Sequence, residues 1–153
     1  EARLAEYDAR LKDIRERMPE KTGSVLRITS WDFQGYLDAP RSYAPFAVMQ
    51  KAGVERTDYE TSDDPDMSMK RPGWEELAEL DGDVLLYIVG GTNDSDKDGR
   101  HEEVLNNPLW QMLPAVQSGD VHRVGHGTWM QFSGLDSAHQ VLDDLERYVI
   151  GEE

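Results

Sequence analysis

The most informative absence from this sequence is cysteine, which occurs nowhere among its 153 residues. Without cysteine the chain has no disulfides, no thiolate metal site and no cysteine nucleophile. Long apolar runs are also missing, since no stretch approaches the roughly 18 residues that span a membrane. The absence of a signal peptide and the start within a helix-forming segment lead us to expect a piece of a longer protein.

Positive charge is scarce. Lys and Arg number 16 against 31 Asp and Glu, which gives a formal net charge of -15 and a pI near 4.5. Such a surface repels phosphate groups, so nucleic acids and anionic membrane faces are excluded as expected partners. The 38% hydrophobic and 31% charged residues are typical of a single soluble globular domain with a wetted exterior.

Apolar spacing predicts alternating helices and strands. In the opening segment, five apolar residues recur at helical spacing and the helix ends near Pro19; they are Leu4, Tyr7, Leu11, Ile14 and Met18. Strands are predicted over 24–28, 56–59, 83–89 and 121–124, and further helices over 42–52, 74–80, 102–113 with an interruption at Pro108, and 136–150. This order predicts a three-layer α/β/α fold with a mostly parallel sheet of about four to five strands.

The stretch DSDKDG at residues 94–99 begins like a calcium-binding loop. Asp94, Asp96, Asp98 and Gly99 occupy positions 1, 3, 5 and 6 of an EF-hand. Position 12, which requires a bidentate Glu, is Leu105, and a buried strand rather than a helix precedes the stretch. A solvated turn is therefore favoured, with calcium binding kept as the alternative.

Sequence signatures of catalysis are missing as well. The four histidines have no metal-ligand spacing, and neither a Gly-x-Ser-x-Gly elbow nor a glycine-rich phosphate loop is present. The sequence therefore predicts no catalytic residues, no metal ligands and no enzymatic function. A small α/β enzyme that uses the acidic stretch with a divalent cation remains the alternative from another class.

Aromatic residues cluster in two of the four loops expected beyond the carboxyl ends of the strands, at 29–43 and 125–135; the other two are 61–73 and 90–98. Rings exposed at a cleft bind bulky ligands with little loss of entropy, and ligands of open α/β sheets collect at this edge. A positive side chain in the first loop would pair with an anionic group. The predicted ligand-binding residues are Trp31, Tyr36, Arg41, Tyr43, Trp129 and Phe132. For each ring, packing in the core is the alternative.

Three segments carry a family resemblance: NPLWQMLPAVQSGDVHRV at 107–124, WEELAELDGDVLLY at 74–87 and SYAPFAVMQKAGVE at 42–55. In this order they resemble the carboxy-terminal lobe of the periplasmic iron-siderophore and cobalamin binding proteins, the helix-backboned receptors of ABC transporters. The resemblance covers residues 24–150. It implies that residues 1–20 are the end of an interlobe helix, that 21–153 are the carboxy-terminal lobe, and that the amino-terminal lobe lies outside this chain.

The resemblance implies a receptor that captures a ferric siderophore and delivers it to a permease, with cobalamin or haem as alternative ligands. Trp129 matches a ligand-facing aromatic position of the family, and Glu75, with Glu76 beside it, matches the acid that docks on the permease. No covalently bound cofactor is implied. A lipid anchor outside this chain would hold the receptor on the periplasmic or extracellular face of the membrane. Because Arg41 is the one firm cleft cation, with Lys70, Arg71 and Arg100 near the loops as further candidates, a weakly anionic chelate such as a hydroxamate is favoured.

Overall fold

The computed structural model describes residues 2–90 and 99–151, which form a single sheet with helices on both faces. The strands are β1 (Thr22–Ile28), β2 (Phe33–Tyr36), β3 (Glu55–Arg56), β4 (Met69–Lys70), β5 (Val84–Ile88) and β6 (Val121–Val124). The helices are α1 (Ala2–Arg17), α2 (Ala44–Lys51), α3 (Arg100–Asn106), α4 (Pro108–Gln111), α5 (Pro114–Ser118), α6 (His126–Met130) and α7 (Leu135–Asp144). A 3-10 helix (Trp74–Glu79) precedes β5, and a π-helix (Leu145–Ile150) continues α7.

The sheet has six strands in the described residues, more than the four to five predicted, and it is mostly parallel. β1 pairs in parallel with β3 and β5, and β5 pairs in parallel with β6. β2 and β4 were not predicted; they extend the sheet beyond β1 as an antiparallel pair, in the order β4-β2-β1-β5-β6. Both are too short for apolar alternation to mark them, because FQGY contains a glycine and β4 has only two residues.

The two faces of the sheet bury separate apolar clusters. Val25 and Leu86 point to a core closed by α1, α2, α6 and α7, whereas Leu26 and Leu85 point to a core closed by the 3-10 helix, α3, α4 and α5. Successive residues of β1 and β5 thus alternate between two buried faces, which is why both strands are apolar throughout their centres. The predicted three-layer α/β/α arrangement is confirmed.

Several predicted element bounds are wrong for local reasons. The strand over 56–59 ends at Arg56, where a turn closes with the Glu60 amide donating to the Thr57 carbonyl at 3.1 Å. The predicted interruption at Pro108 is confirmed, since α3 ends at Asn106 and the Asn107 side chain accepts from the Leu109 amide and starts α4, but α4 ends at Gln111 rather than at Leu113. Among the described residues, no helix combines the length and apolar character needed to cross a membrane.

The opening helix lies against the last one, although its apolar stripe is only partly buried. Tyr7 and Ile14 are buried, whereas Leu4, near the start of the helix, is 51% exposed. Arg10 and Arg17 on α1 both donate to the Glu146 carboxylate, the second at 2.8 Å. A charged clamp therefore supplements the apolar contact between the two ends of the chain.

This clamp makes a pH-dependent contribution to stability. The hydrogen bonds from Arg10 and Arg17 lower the pKa of Glu146 below its ordinary value. The clamp should therefore stabilise the fold above the unfolded-state pKa and lose its effect as pH falls through the folded-state pKa. We expect Glu146→Gln to lower the free energy of unfolding by about 1 kcal/mol near neutral pH, the range of partly exposed pairs in a network.

Urea denaturation at a series of pH values measures this contribution. The gap between Glu146→Gln and the wild type should narrow as pH falls below the ordinary Glu pKa, and it should close once pH lies below the lowered folded-state pKa, where the carboxylate is protonated in both states. Asp13→Asn is the matched control, because Asp13 is exposed and its ion pair with Arg17 at 2.9 Å lies within α1 and does not join the two helices. A gap that stays constant with pH would contradict the clamp.

Candidate functional site

A cavity of about 1010 Å³ opens near the carboxyl ends of β1 and β6, the edge that the sequence predicted for a ligand. Its walls come from β1, β2, the start of α2, the segment around β4, and α6 with the residues after it. The described lining residues are Arg27, Gln34, Tyr36, Tyr43, Ala44, Pro45, Met69, Arg71, His126, Trp129, Met130, Gln131 and Phe132. An open concave face of this size suits a bulky ligand.

Stacked rings form one wall of the cavity. The Tyr36 ring stacks on Phe46, with centroids 4.9 Å apart and planes within 10°, and meets the Tyr43 ring edge-on at 5.4 Å. Tyr36 is buried while Tyr43 is 49% exposed, so the wall runs from the core to the rim. Burial raises the pKa of the Tyr36 phenol, and Arg27 acts in the opposite direction. The Tyr36 hydroxyl donates to Gln34 Oε1 at 2.6 Å.

Trp129 is not the exposed ring that the sequence predicted. It is fully buried and its centroid lies 5.7 Å from that of Phe46, so it supports the cavity lining from beneath. Its indole Nε1–H donates to Asp144 Oδ2 at 2.8 Å. The expected exposure of this ring is wrong because packing of α6 between α2 and α7 covers the indole, which the loop-like spacing around residue 129 does not reveal; Trp129 still belongs to the cavity lining, and its contact with a ligand stays a prediction. Phe132 is half-buried and lines the cavity as predicted.

Two other predicted site residues are not among the described residues that line the cavity. Trp31 is 73% exposed and lies in the turn between β1 and β2, where its amide donates to Thr29 Oγ1. Arg41 is exposed in the turn before α2. Both belong to the predicted first loop, but β2 divides that loop, and its described residues that reach the cavity are Gln34, Tyr36 and Tyr43.

Two arginines are the cavity cations: the sequence offered Arg71 only as a further candidate beside Arg41, and it did not single out Arg27. Arg27 occupies the penultimate position of β1, and Arg71 directly follows β4. Arg27 donates to the Gly90 carbonyl at 3.4 Å, and Arg71 Nε lies 3.4 Å from Asp32 Oδ2. A charged residue inside the otherwise apolar SVLRI strand was the signal that identifies Arg27 as a functional candidate.

The described lining of the cavity contains both guanidinium groups and no carboxylate. In a chain of net charge -15, the lining thus places two positive groups at the cavity, one of which, Arg71, is paired with the Asp32 carboxylate. Arg100 and Lys70 serve the fold instead: Arg100 donates to the carbonyls of Thr29 and Asp32, and Lys70 to that of Tyr59. The cavity is thus suited to an anionic ligand with flat or apolar surfaces.

The two predicted docking acids differ in their surroundings. Both lie in the first turn of the 3-10 helix and are exposed. Glu76 accepts from the Gly73 amide at 3.2 Å and from the Tyr59 hydroxyl at 3.0 Å, so it caps the helix. Burial, aided by Glu76, raises the pKa of Tyr59 to about 12. Within residues 2–90 and 99–151, no hydrogen bond or ion pair holds the Glu75 carboxylate.

Metal-binding clusters of three or more His, Asp or Glu side chains are absent from residues 2–90 and 99–151. Of the acidic stretch at 94–99, only Gly99 belongs to the part of the chain that the structure describes, so the calcium alternative lies outside it. Gly99 has a φ of 76° and precedes α3.

Comparison with protein families identifies one match: residues 1–126 match the model of the family described as "Periplasmic binding protein". Curated relatives are similar over 94–96% of the chain. A probable siderophore-binding lipoprotein of Bacillus subtilis, YfiY, is 26% identical over 96% of the chain and 47% of its own length. The achromobactin-binding periplasmic protein of Dickeya dadantii is 27% identical over 94% of the chain and 48% of its own length. The chain thus spans about half the length of these relatives.

Solved structures share the fold. Staphylococcus aureus SirA superposes with a TM-score of 0.79 at 16% identity, covering 99% of the chain and 59% of SirA. The siderophore periplasmic binding protein from the fuscachelin gene cluster of Thermobifida fusca superposes with a TM-score of 0.76 at 22% identity, covering 99% of the chain and 53% of that protein. In both cases about half of the larger molecule corresponds to this chain.

Proposed function

Because this chain belongs to the periplasmic binding protein family, we propose that it is the carboxy-terminal lobe of a two-lobe receptor that captures a ferric siderophore. In this proposal α1 belongs to the end of an interlobe helix, and residues 21–153 form one half of the binding cleft. The receptor acts outside the cytoplasm, held by a lipid anchor outside this chain, and hands its ligand to an ABC permease. The names of the relatives, as siderophore-binding and as lipoprotein or periplasmic, support this assignment.

The observation that carries the proposal is the open cavity with an aromatic wall and two guanidinium groups. A ferric chelate is bulky, its organic ligand presents flat or apolar faces, and many such chelates are anionic. Tyr43, Phe132 and Met130 offer contact area, while Arg27 and Arg71 offer charge. We therefore propose an anionic chelate, with carboxylate or catecholate donors, in place of the hydroxamate that the sequence favoured through Arg41.

Tryptophan fluorescence tests the function directly. The complete gene product should show saturable quenching when it is titrated with a ferric tris-catecholate or ferric citrate. Weaker quenching is expected with a neutral ferric trihydroxamate, because that chelate gains nothing from the two arginines. Saturable quenching by cobalamin or haemin, with none by any ferric chelate, would replace this function with the alternative ligand.

Glu75 is the residue that we propose contacts the permease, since Glu76 is occupied by the helix cap and Tyr59. Glu75→Arg should lower the rate of chelate uptake in cells about tenfold by reversing the charge at the contact, with the affinity for the chelate unchanged. Glu79→Arg is the matched control, because Glu79 is exposed at the other end of the same helix. Equal loss of uptake in both variants, or none in Glu75→Arg, would contradict docking through Glu75.

A further inference from the structure

A hydrogen bond beneath the cavity joins an indole to a carboxylate. The Trp129 indole Nε1–H donates to Asp144 Oδ2 at 2.8 Å. Trp129 lies on α6, whereas Asp144 is the last residue of α7, where that helix changes into the π-helix Leu145–Ile150. Since Trp129 is fully buried, its donor requires an acceptor in this position, and the bond fixes the plane of the indole.

The indole is linked to the cavity surface through packed rings. Trp129 lies tilted against Phe46 at 5.7 Å, and Phe46 stacks on Tyr36, which meets Tyr43 edge-on. Interiors are close-packed, so rotation of the indole would displace Phe46 and, in turn, the phenols that line the cavity. The orientation of Trp129 therefore decides the shape of the aromatic wall.

Asp144 is an energetically costly acceptor, because burial removes solvation from its carboxylate. Burial raises the pKa of its carboxyl group; the Trp129 bond and Arg147 oppose this effect, while Asp143 adds to it. A neutral amide would accept the same N–H without the cost of desolvating a charge. π-helical turns are also uncommon in soluble proteins and occur often at functional sites. Two unfavourable local features thus coincide directly behind the cavity wall.

We propose that Asp144 is a positioning residue of the ligand cavity, which fixes the Trp129 indole and, through it, the ring wall that the ligand contacts. Asp144 does not itself touch the ligand. The effect on chelate affinity rests on the proposed function, whereas the effect on the ring wall is a property of the folded chain alone.

Two substitutions separate positioning from general stability. Asp144→Leu removes the acceptor, and Asp144→Asn keeps an acceptor oxygen of the same size. If Asp144→Leu fails to fold, Trp129→Phe takes its place, because it removes the donor of the same hydrogen bond. The complete gene product, labelled with ¹⁵N and ¹³C, reports on the indole N–H and on the rings of Tyr43 and Phe132 by NMR. Affinity for a ferric tris-catecholate is measured on the same samples, well below the thermal midpoint.

We expect Asp144→Leu to shift the Trp129 indole resonance and those of both surface rings, and to weaken chelate binding about tenfold, as misplaced contact groups do. Asp144→Asn should keep the ring resonances and stay within about twofold of wild-type affinity, and it should be at least as stable because it avoids the desolvation of a charge.

Unmoved ring resonances in Asp144→Leu would overturn the proposal, as would an Asp144→Asn variant that binds as weakly as Asp144→Leu. If the wild type binds no ferric chelate, the proposed function fails. The ring resonances still decide whether Asp144 positions the wall.

Discussion

Glu60→Gln is expected to lower the free energy of unfolding by about 3–5 kcal/mol, the cost of leaving one member of a buried ion pair without its partner. Glu60 and Arg56 are paired at 3.0 Å, with side-chain exposures of 0% and 1%. Glu60 Oε1 also accepts from the Val25 amide at 2.9 Å, and Oε2 from the Thr57 hydroxyl at 2.8 Å. The carboxylate thus joins β1, β3 and the turn after β3.

The partner of Glu60 explains the size of this effect. The Arg56 guanidinium donates to the Gly23 carbonyl at 3.1 Å and to the Tyr36 carbonyl at 2.7 Å, so it cannot move out to water without breaking the link between β1 and the end of β2. Once Glu60 is neutral, that positive charge stays buried with only carbonyl partners around it.

Urea denaturation at neutral pH measures the loss. Glu55→Gln is the matched control, because Glu55 is an exposed neighbour on β3, and it should change the free energy by less than about 0.5 kcal/mol. A loss below about 1 kcal/mol in Glu60→Gln, the range of exposed pairs, would show that the pair is hydrated in solution.

Arg27→Met should weaken the binding of an anionic ferric chelate by about 10- to 100-fold. A hydrogen bond to a charged partner contributes about 1.5–3 kcal/mol, and each 1.4 kcal/mol corresponds to a factor of ten. Arg27 is half-buried at the end of β1, where a partly desolvated charge is least screened. Arg71 is 65% exposed, so Arg71→Met should have a smaller effect, about threefold to tenfold.

The chain offers a matched control for these cations. Arg41→Met removes the same charge at a position outside the described cavity lining, and its affinity should stay within about twofold of wild type. Arg27→Lys keeps the charge without the planar fork and should fall between the wild type and Arg27→Met. Equal weakening by Arg41→Met and Arg27→Met would mean that overall charge, not the cavity, governs affinity.

The sequence predicted the parts of the fold that depend on local pattern. β5, buried on both faces of the sheet, follows from the unbroken apolar run at 83–89, and the motifs at 42–124 indicated the family that the comparisons confirm. β2 and β4 could not be predicted, since a two-residue strand such as Met69–Lys70 exists only because β2 lies beside it. Long-range pairing of this kind leaves no local signal.

The candidate site was predictable in its place and in only some of its residues. The edge of the sheet and the presence of aromatic rings followed from strand ends and residue type, and Tyr36, Tyr43 and Phe132 do line the cavity. Whether a ring is covered depends on tertiary packing, which buries Trp129 and leaves Trp31 exposed, away from the described cavity lining. Arg71 lies in the cavity wall because β4 pairs with β2, although the two strands are far apart in the sequence.

The two separate apolar clusters have a practical consequence for the molecule. Each face of the sheet is covered by helices of this same chain, so the polypeptide supplies its own interior on both sides. A domain that has its own hydrophobic core is able to fold alone. We expect that residues 1–153 can be expressed alone as a unit that folds cooperatively, with the cavity open to solvent.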